Sequence, residues 1–458
     1  MAARPGDRGR CRRVTTLLAG GVVLPMTGRR VVFDPGAVLF DGSLIVAVGP
    51  AEEVAAHPLA GSATLVDTSG TAVIPGLHNC HLHSGLLRGT AESLALWEWL
   101  RSYVDPAHRA LTAEIAAVAS RLCYAESVLA GTTSVMDMWR YMEGSAAAAD
   151  QIGLRATLVP YVADEDGYDY FETIESNRRL LETVGPGRGA RVRAWVGLEH
   201  LFYCSDRCFA EAKALADEFS TGTHTHSSES VWEVQESLKR WGRRPIEVMW
   251  NRGILGEDTV IAHCVWLDDR EIELLARTGT AVAHCPCSNM KLASGPARVG
   301  DMRARGVTVG LGSDGEKENN NVDLLEEMKF ASLLQKVTTL NPAAGDPWDV
   351  LAMATCDGAA ALGIDDVTGS LAPGKSADVV VVDLGGLHTT PLLHGGDFNA
   401  HAHLVFSATG ADVRHVWVEG RQLVESGRPL TFDVASVRAD AQAAAEELFA
   451  RRAALRPG

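Results

Sequence analysis

The apolar residues of this chain change their spacing in three zones. Over residues 14–70 they come in short β-branched runs separated by Gly, Asp and Pro, which predicts a small β-sheet. Val14–Met26 reads as a strand interrupted at Gly20-Gly21, and the segment from Val38 to Gly49 reads as a hairpin turning at Asp41-Gly42-Ser43. Over residues 71–365 strand-like runs alternate with helical stretches. The runs are Ala72–Ile74, Thr132–Asp137, Arg155–Tyr161, Arg193–Leu198, Gly222–His226, Thr259–His263, Thr280–His284 and Val307–Asp314. Helical segments such as Ala113–Ala130, Cys208–Phe219 and Leu324–Leu334 lie between them. This alternation implies a parallel sheet, and the strand count matches a (β/α)8 TIM-type barrel. Over 366–430 the pattern is β again, at Ala377–Asp383 and at Val413–Glu419 with Gly420 at a turn, and 434–453 reads as an amphipathic closing helix. The expected fold is therefore α/β. A barrel spans 71–365, and a small discontinuous β-sandwich domain combines 1–70 with 366–458, the closing helix included.

Composition removes several alternatives. A hydrophobic share of 46% with 22% charged residues excludes a disordered chain. No run of 18 apolar residues occurs, so no membrane partner is expected. Lys+Arg 42 against Asp+Glu 58 leaves a net charge of −16, opposite to what a nucleic-acid partner requires. The nine Cys are odd in number and scattered, which suits reduced thiols in a cytoplasmic protein. Arg12-Arg13 ahead of an apolar stretch resembles a twin-arginine export signal. No small-residue cleavage site follows cleanly, so the strand reading is preferred.

The chemistry gathers at strand ends. His81-Leu82-His83 places two imidazoles on one side of an extended chain, where both reach one metal ion. Such a pair is a weak signal alone. His226 in His224-Thr225-His226-Ser227-Ser228-Glu229, His263 after Ile261-Ala262, and Asp314 after Gly312-Ser313 end three further runs. The C-terminal ends of barrel strands converge on one mouth. His81, His83, His226 and Asp314 would there give three nitrogen ligands and one oxygen ligand to a divalent ion, with a position left open for water, as a catalytic site needs. Zn²⁺ is the first choice, Fe²⁺ or Mn²⁺ the alternatives.

Longer motifs surround these residues. They include Pro75-Gly76-Leu77-His78-Asn79-Cys80-His81-Leu82-His83, Leu96-Trp97-Glu98-Trp99-Leu100, Ala283-His284-Cys285-Pro286-Cys287-Ser288-Asn289 and Gly312-Ser313-Asp314-Gly315. With Gly369-Ser370-Leu371-Ala372-Pro373-Gly374-Lys375 they resemble the amidohydrolase superfamily. The nearest subgroup holds s-triazine hydrolases and the S-adenosylhomocysteine, guanine and cytosine deaminases. The resemblance runs from the first strand to about residue 425. It implies Glu229 as a proton shuttle, His263 as the group that orients water or polarises substrate, and Asp314 as both ligand and proton acceptor. It also implies a homo-oligomer, dimer or larger. The expected function is metal-dependent hydrolytic deamination of a nitrogen heterocycle (purine, pyrimidine, pterin or triazine), a metal-activated hydroxide attacking an sp² ring carbon and releasing ammonia. The competing readings are a triazine-type hydrolase expelling chloride or an alkylamine, and a non-catalytic binding barrel. Glu229 favours an amine, because chloride leaves without an acid.

Several residues depart from the family pattern or mark the pocket. Glu199 stands where many relatives carry a substrate-binding His. Three readings stay open for it: a hydrogen-bond partner of an amino-substituted ring, a structural carboxylate paired with an Arg, or a bridge to a second metal. No Lys lies near this strand, which disfavours the carboxylated-lysine binuclear variant. His78 is open between substrate contact and packing. His200, His284 and Asn289 are expected pocket residues, as are Glu316, Glu318 and Asn319 in the loop after Asp314. Arg88 and Trp97 belong to the loop after the first strand, and Glu98 holds the position that contacts ribose in nucleoside deaminases. Cys285 and Cys287 are read as buried thiols, and His394, His401 and His403 as a loop near the barrel. The acid-rich mouth favours neutral or cationic, N–H-rich small molecules over phosphorylated ones.

Overall fold

The computed structural model describes residues 14–90, 92–94 and 96–455, and the Arg12-Arg13 pair lies outside them. The N-terminal zone forms β1 (Thr15–Ala19), β2 (Val22–Val23), β3 (Gly36–Asp41), β4 (Leu44–Pro50), β5 (Thr64–Asp67) and β6 (Thr71–Pro75). Four of these make a sheet in the order β4-β3-β1-β5. The expected hairpin is present, Asp41 facing Leu44, with Gly42 at φ +59° where a side chain would be strained.

The central zone supplies β7 (Leu77–Leu82), β8 (Thr132–Trp139), β9 (Arg155–Pro160), β10 (Val192–Ala194), β11 (Val196–His200), β12 (Thr223–Ser227), β13 (Thr259–His263), β14 (Ala281–His284) and β15 (Val309–Leu311). They pair in parallel as β10-β9-β8-β7 and as β11-β12-β13-β14-β15. β10 and β11 are one strand broken at Trp195, whose N–H donates to Leu158 O at 2.9 Å. At the other seam the Asp314 N–H donates to His81 O at 3.0 Å. The strands thus follow one another round a TIM-type barrel, with helices such as Ala113–Leu129, Asp206–Phe219 and Leu324–Thr339 outside.

One expected barrel strand belongs elsewhere. Ala72–Ile74 lies in β6, which pairs antiparallel with β16 (Val379–Asp383) and parallel with β2. The first barrel strand is instead β7. The apolar run continues unbroken from one strand into the other, so hydrophobicity alone does not separate them. The break is Gly76, where an added Cβ would meet Thr133 Oγ1 at 1.9 Å. With β17 (Val413–Val418), β18 (Arg421–Glu425) and β19 (Arg428–Pro429), these strands form a six-stranded sheet ordered β19-β18-β17-β16-β6-β2. Both ends of the chain meet in it.

That sheet is buried on both faces. Val73, Val379 and Val381 pack with Leu18, Phe40 and Ile45 of the four-stranded sheet. Ala72, Ile74, Val380 and Val382 alternate with them and join the barrel's core. This explains four consecutive valines, since a strand covered on both sides needs no polar face. The closing helix, Val434–Ala454, buries Val437, Ala441, Ala444 and Leu448 along one stripe. Among the described residues no helix is long and apolar enough to cross a membrane.

A buried ion pair ties barrel to sheet. Arg155 at the start of β9 donates to Asp378 Oδ2 at 2.7 Å and to Ser376 Oγ at 2.9 Å. Both side chains are almost wholly buried. Arg155→Met therefore strands the Asp378 carboxylate, and its expected cost is about 3–5 kcal/mol of stability. A urea unfolding midpoint equal to wild type would show that the pair contributes nothing.

Candidate active site

The barrel strands deliver their ligand-grade residues to one point, in unusual backbone conformations. β7 carries His81 next to its last residue, with His83 just beyond; β12 carries His224 and His226; β13 ends on His263; Asp314 follows β15. Ser228, His263, Cys264 and Asp314 have φ of +53°, +71°, +47° and +59°. Each such non-glycine residue costs about 1–3 kcal/mol, which the surrounding structure must offset.

Hydrogen bonds decide which imidazole nitrogen faces the centre. Carbonyl oxygens can only accept, so a ring nitrogen beside one carries the proton. His83 Nδ1 donates to Met138 O at 2.7 Å, and His226 Nδ1 to Glu199 O at 2.5 Å. His263 Nδ1 donates to Asn289 Oδ1 at 3.1 Å. His224 Nδ1 donates to Val260 O at 2.8 Å, so its Nε2 accepts from His81 Nδ1, also at 2.8 Å. His81, His83 and His226 consequently turn an unprotonated Nε2 inward, and His263 Nε2 faces the same point. Burial lowers the pKa of His81, His83 and His226, keeping them neutral.

Those lone pairs crowd together. His83 Nε2 lies 3.1 Å from His226 Nε2. The Nε2 atoms of His81 and His83 each lie 3.4 Å from Asp314 Oδ1, and His81 Nε2 is buried with no hydrogen-bond partner. His263 Nε2 is 3.9 Å from both Asp314 Oδ2 and Glu229 Oε2. Asp314 is itself buried. Ser288 Oγ donates to its Oδ2 at 2.6 Å and the Gly315 N–H to its Oδ1 at 2.8 Å. Lone pairs and a carboxylate with no proton between them repel, so the donor set fits a divalent cation.

A cleft opens over this point. Glu199, Glu229, Glu318 and His200 line it, beside an apolar wall of Leu96, Trp97, Trp99, Leu100 and Leu292. Burial raises Glu229, whose Oε1 accepts from Ser294 Oγ at 3.0 Å. Burial also pushes Glu199 and Glu318 up to about 8. Glu199 Oε2 has no partner, and among the described residues Glu199 pairs with no Arg and joins no candidate metal cluster.

The remaining expected contacts lie off the cleft. His78 is fully buried at the opposite end of β7, paired in register with Ser134, where it packs against Gly358. Arg88 turns to Glu126, 2.5 Å away, and Glu98 is exposed. His284 is buried with both ring nitrogens unpartnered. Asn289 acts through His263. Glu316 accepts the Leu87 N–H at 3.0 Å, and Asn319 donates to Ser313 O at 2.9 Å, so both brace loops. His401 and His403 sit in the helix Ala400–Phe406 rather than a loop; the His401 ring stacks on Trp348, 4.8 Å away, and neither reaches the cleft. Cys285 and Cys287 are buried free thiols, as expected.

Sequence reasoning passed over His224, Tyr161 and Lys317. His224 had a signal, since it precedes His226 by the same spacing that joins His81 to His83. The Tyr161 hydroxyl reaches His83 Nδ1 at 2.8 Å, and buried Lys317 pairs with Glu318 at 2.8 Å.

A parallel barrel with imidazoles and carboxylates gathered at its C-terminal mouth is the architecture of barrel hydrolases. Residues 72–423 match the Amidohydrolase family, and the chain belongs to it. It is 40% identical over 416 residues to a 5'-deoxyadenosine deaminase of Methanosarcina mazei, covering 90% of this chain and 94% of that protein. It is 39% identical over 435 residues to a 5-methylthioadenosine/S-adenosylhomocysteine deaminase of Syntrophobacter fumaroxidans, covering 93% and 96%. In fold it is similar to a zinc-bound adenosine deaminase from Xanthomonas campestris, with TM-score 0.89, 29% identity, and 95% and 99% of the two chains covered. A zinc complex of an atrazine chlorohydrolase from Arthrobacter aurescens shares the fold at TM-score 0.84 and 24% identity, covering 94% and 100%.

If His224 sets the tautomer of His81, His224→Phe frees His81 Nδ1 and weakens metal binding about 10–100-fold. Competition against a zinc chelator measures this directly; unchanged affinity would remove His224 from the site.

Proposed function

We propose that this protein hydrolytically deaminates an unphosphorylated adenine nucleoside with a small, uncharged 5′ group. In this reading His81, His83, His226 and Asp314 hold one divalent ion. Zinc suits the imidazole and carboxylate donors, and Fe²⁺ and Mn²⁺ are compatible. The observation that carries it is the convergence of inward-facing Nε2 lone pairs on Asp314, directly beneath a cleft that holds Glu229. The deaminase relatives, at 39–40% identity over nearly the whole chain, support the same chemistry.

When bound, the ion supplies Lewis acidity that makes water nucleophilic near neutral pH. Ionised Asp314 accepts a proton from the attacking water. His263 Nε2 accepts the water's other O–H and fixes its direction. Glu229, raised by burial, gives its proton to the ring nitrogen, takes the proton of the hydroxyl that the attack leaves on carbon and passes it to the leaving nitrogen, and the proton held by Asp314 then restores Glu229. A C–O bond forms, the C–N bond breaks, and ammonia departs. Glu199 offers its unpartnered oxygen to the heterocycle's edge.

The 5′ preference follows from the wall. Its hydrophobic residues suit a methyl or methylthio group, and no Lys or Arg is among the described lining residues. Burial would lower His200, but Glu233 at 3.4 Å holds it above the usual imidazole range, so this cation is already paired. A phosphate or an amino-acid carboxylate would find no free cation. The described cysteines are all free, in keeping with a reducing cytoplasmic compartment.

Ammonia release over a panel of heterocycles tests this. 5′-Deoxyadenosine and methylthioadenosine should turn over faster than adenosine 5′-phosphate and S-adenosylhomocysteine. His81→Ala should abolish activity and Glu229→Gln lower kcat by about 10²–10⁴. Faster turnover of the phosphate would overturn the substrate class, and full activity in His81→Ala would overturn the metal assignment.

A further inference from the structure

We propose that Glu233 is the positioning residue that aims Glu229 into the cleft, its carboxylate gripping the strained turn that joins β12 to the next helix. The inference rests on the reading of Glu229 as the proton carrier. After His226 the chain must reverse sharply to begin the helix Val231–Trp241, and Ser228 does so at φ +53°. Ser230 caps that helix, its Oγ accepting the Glu233 N–H at 3.4 Å. Glu233 is the third helical residue, where a Glu ordinarily reaches back to the N–H of the capping residue. Here it reaches further. One oxygen accepts the Ser228 N–H at 2.6 Å and the other the Glu229 N–H at 2.8 Å. The side chain is 1% exposed.

Two consecutive amides on one carboxylate leave the turn little rotational freedom, and they set the direction in which the Glu229 side chain departs. Ser294 Oγ then donates to Glu229 Oε1, with His263 near Oε2. Glu233 Oε1 also faces His200 Nε2 at 3.4 Å. His200 lines the same cleft, so one carboxylate braces both the proton carrier and an opposing wall. Burial would raise Glu233, but His200 and the two amides hold it below the usual carboxylate range, so it stays ionised for all three. Glu233 touches neither the cleft nor any candidate ligand side chain.

The test compares two leaving groups. Glu233→Ala should lower kcat for the 6-amino nucleoside about 10–100-fold, with KM and bound metal little changed. The 6-chloro analogue expels chloride with its bonding electrons and needs no proton on the leaving group, so its loss should be several-fold smaller. Glu233→Gln keeps one acceptor oxygen and should fall between. A variant that is merely unstable would lose both substrates alike. Independently of turnover, the Ser228 and Glu229 amides should exchange hydrogen at least roughly tenfold faster in Glu233→Ala. Equal losses on both substrates, or unchanged exchange, would overturn the inference. Absence of deaminase activity in the wild type would strike the functional reading alone, because the exchange measurement still decides the positioning.

Discussion

Three imidazoles, those of His81, His83 and His263, facing one carboxylate, with the His226 ring against His83, is the arrangement on which the rest of this molecule depends. It is repulsive without a cation, and it is enforced from outside. The acceptors that hold the Nδ1 protons of His83, His226 and His224 are backbone carbonyls of Met138, Glu199 and Val260, which lie on or at the ends of neighbouring strands. In a parallel barrel each strand end therefore presents a carbonyl at the height of the next strand's ring. The fold sets the tautomers, the tautomers set the donors, and the donors define the centre. The left-handed residues at Ser228, His263 and Asp314 are tolerable because other bonds hold them: Ser228 N–H to Glu233, His263 Nδ1 to Asn289 and Asp314 N–H to His81 O.

The acids around that centre fall into two groups. Asp314 accepts from the Ser288 hydroxyl and the Gly315 amide, and His200 with two amides holds Glu233 ionised. Glu199, Glu229 and Glu318 are raised by burial, which favours their protonated forms. Such separation of carboxyl groups by environment is how one pocket runs acid and base steps at the same pH. Lys317 belongs to this balance: a buried ammonium against Glu318 limits the acid excess near the metal point.

How much of this was legible varies with the physics involved. Ligand candidates could be read because chemistry demands particular residue types at strand ends, and a parallel barrel brings those ends together. The eight-strand count could be read for the same reason, although Ala72–Ile74 and Leu77–Leu82 trade places across Gly76. What could not be read is which way a side chain turns in a loop. Arg88 and Glu98 carry suitable chemistry but face Glu126 and solvent. His78 shares the motif of His81 yet lies three residues earlier, at the far end of the strand. Glu316 and Asn319 serve loop backbone because nearby N–H and C=O groups outcompete a ligand. The tautomer chain through His224 needs three-dimensional neighbours and has no linear signature beyond its spacing.

A cleft lined by carboxyls and imidazoles, with no Lys or Arg among its described lining residues, suits a reaction that reverses a hydrogen-bond pattern. An amino-substituted heterocycle presents an acceptor ring nitrogen beside a donor amine. Its hydrolysed product presents a donor N–H beside an acceptor carbonyl. Ammonium and guanidinium groups remain donors throughout and would bind only one of the two patterns well. A carboxyl group near the middle of its titration range changes from donor to acceptor by losing one proton. A carboxyl such as Glu199, pushed up to about 8 by burial, can therefore face both substrate and product without rearranging, so neither end of the reaction is penalised by an unpaired buried group.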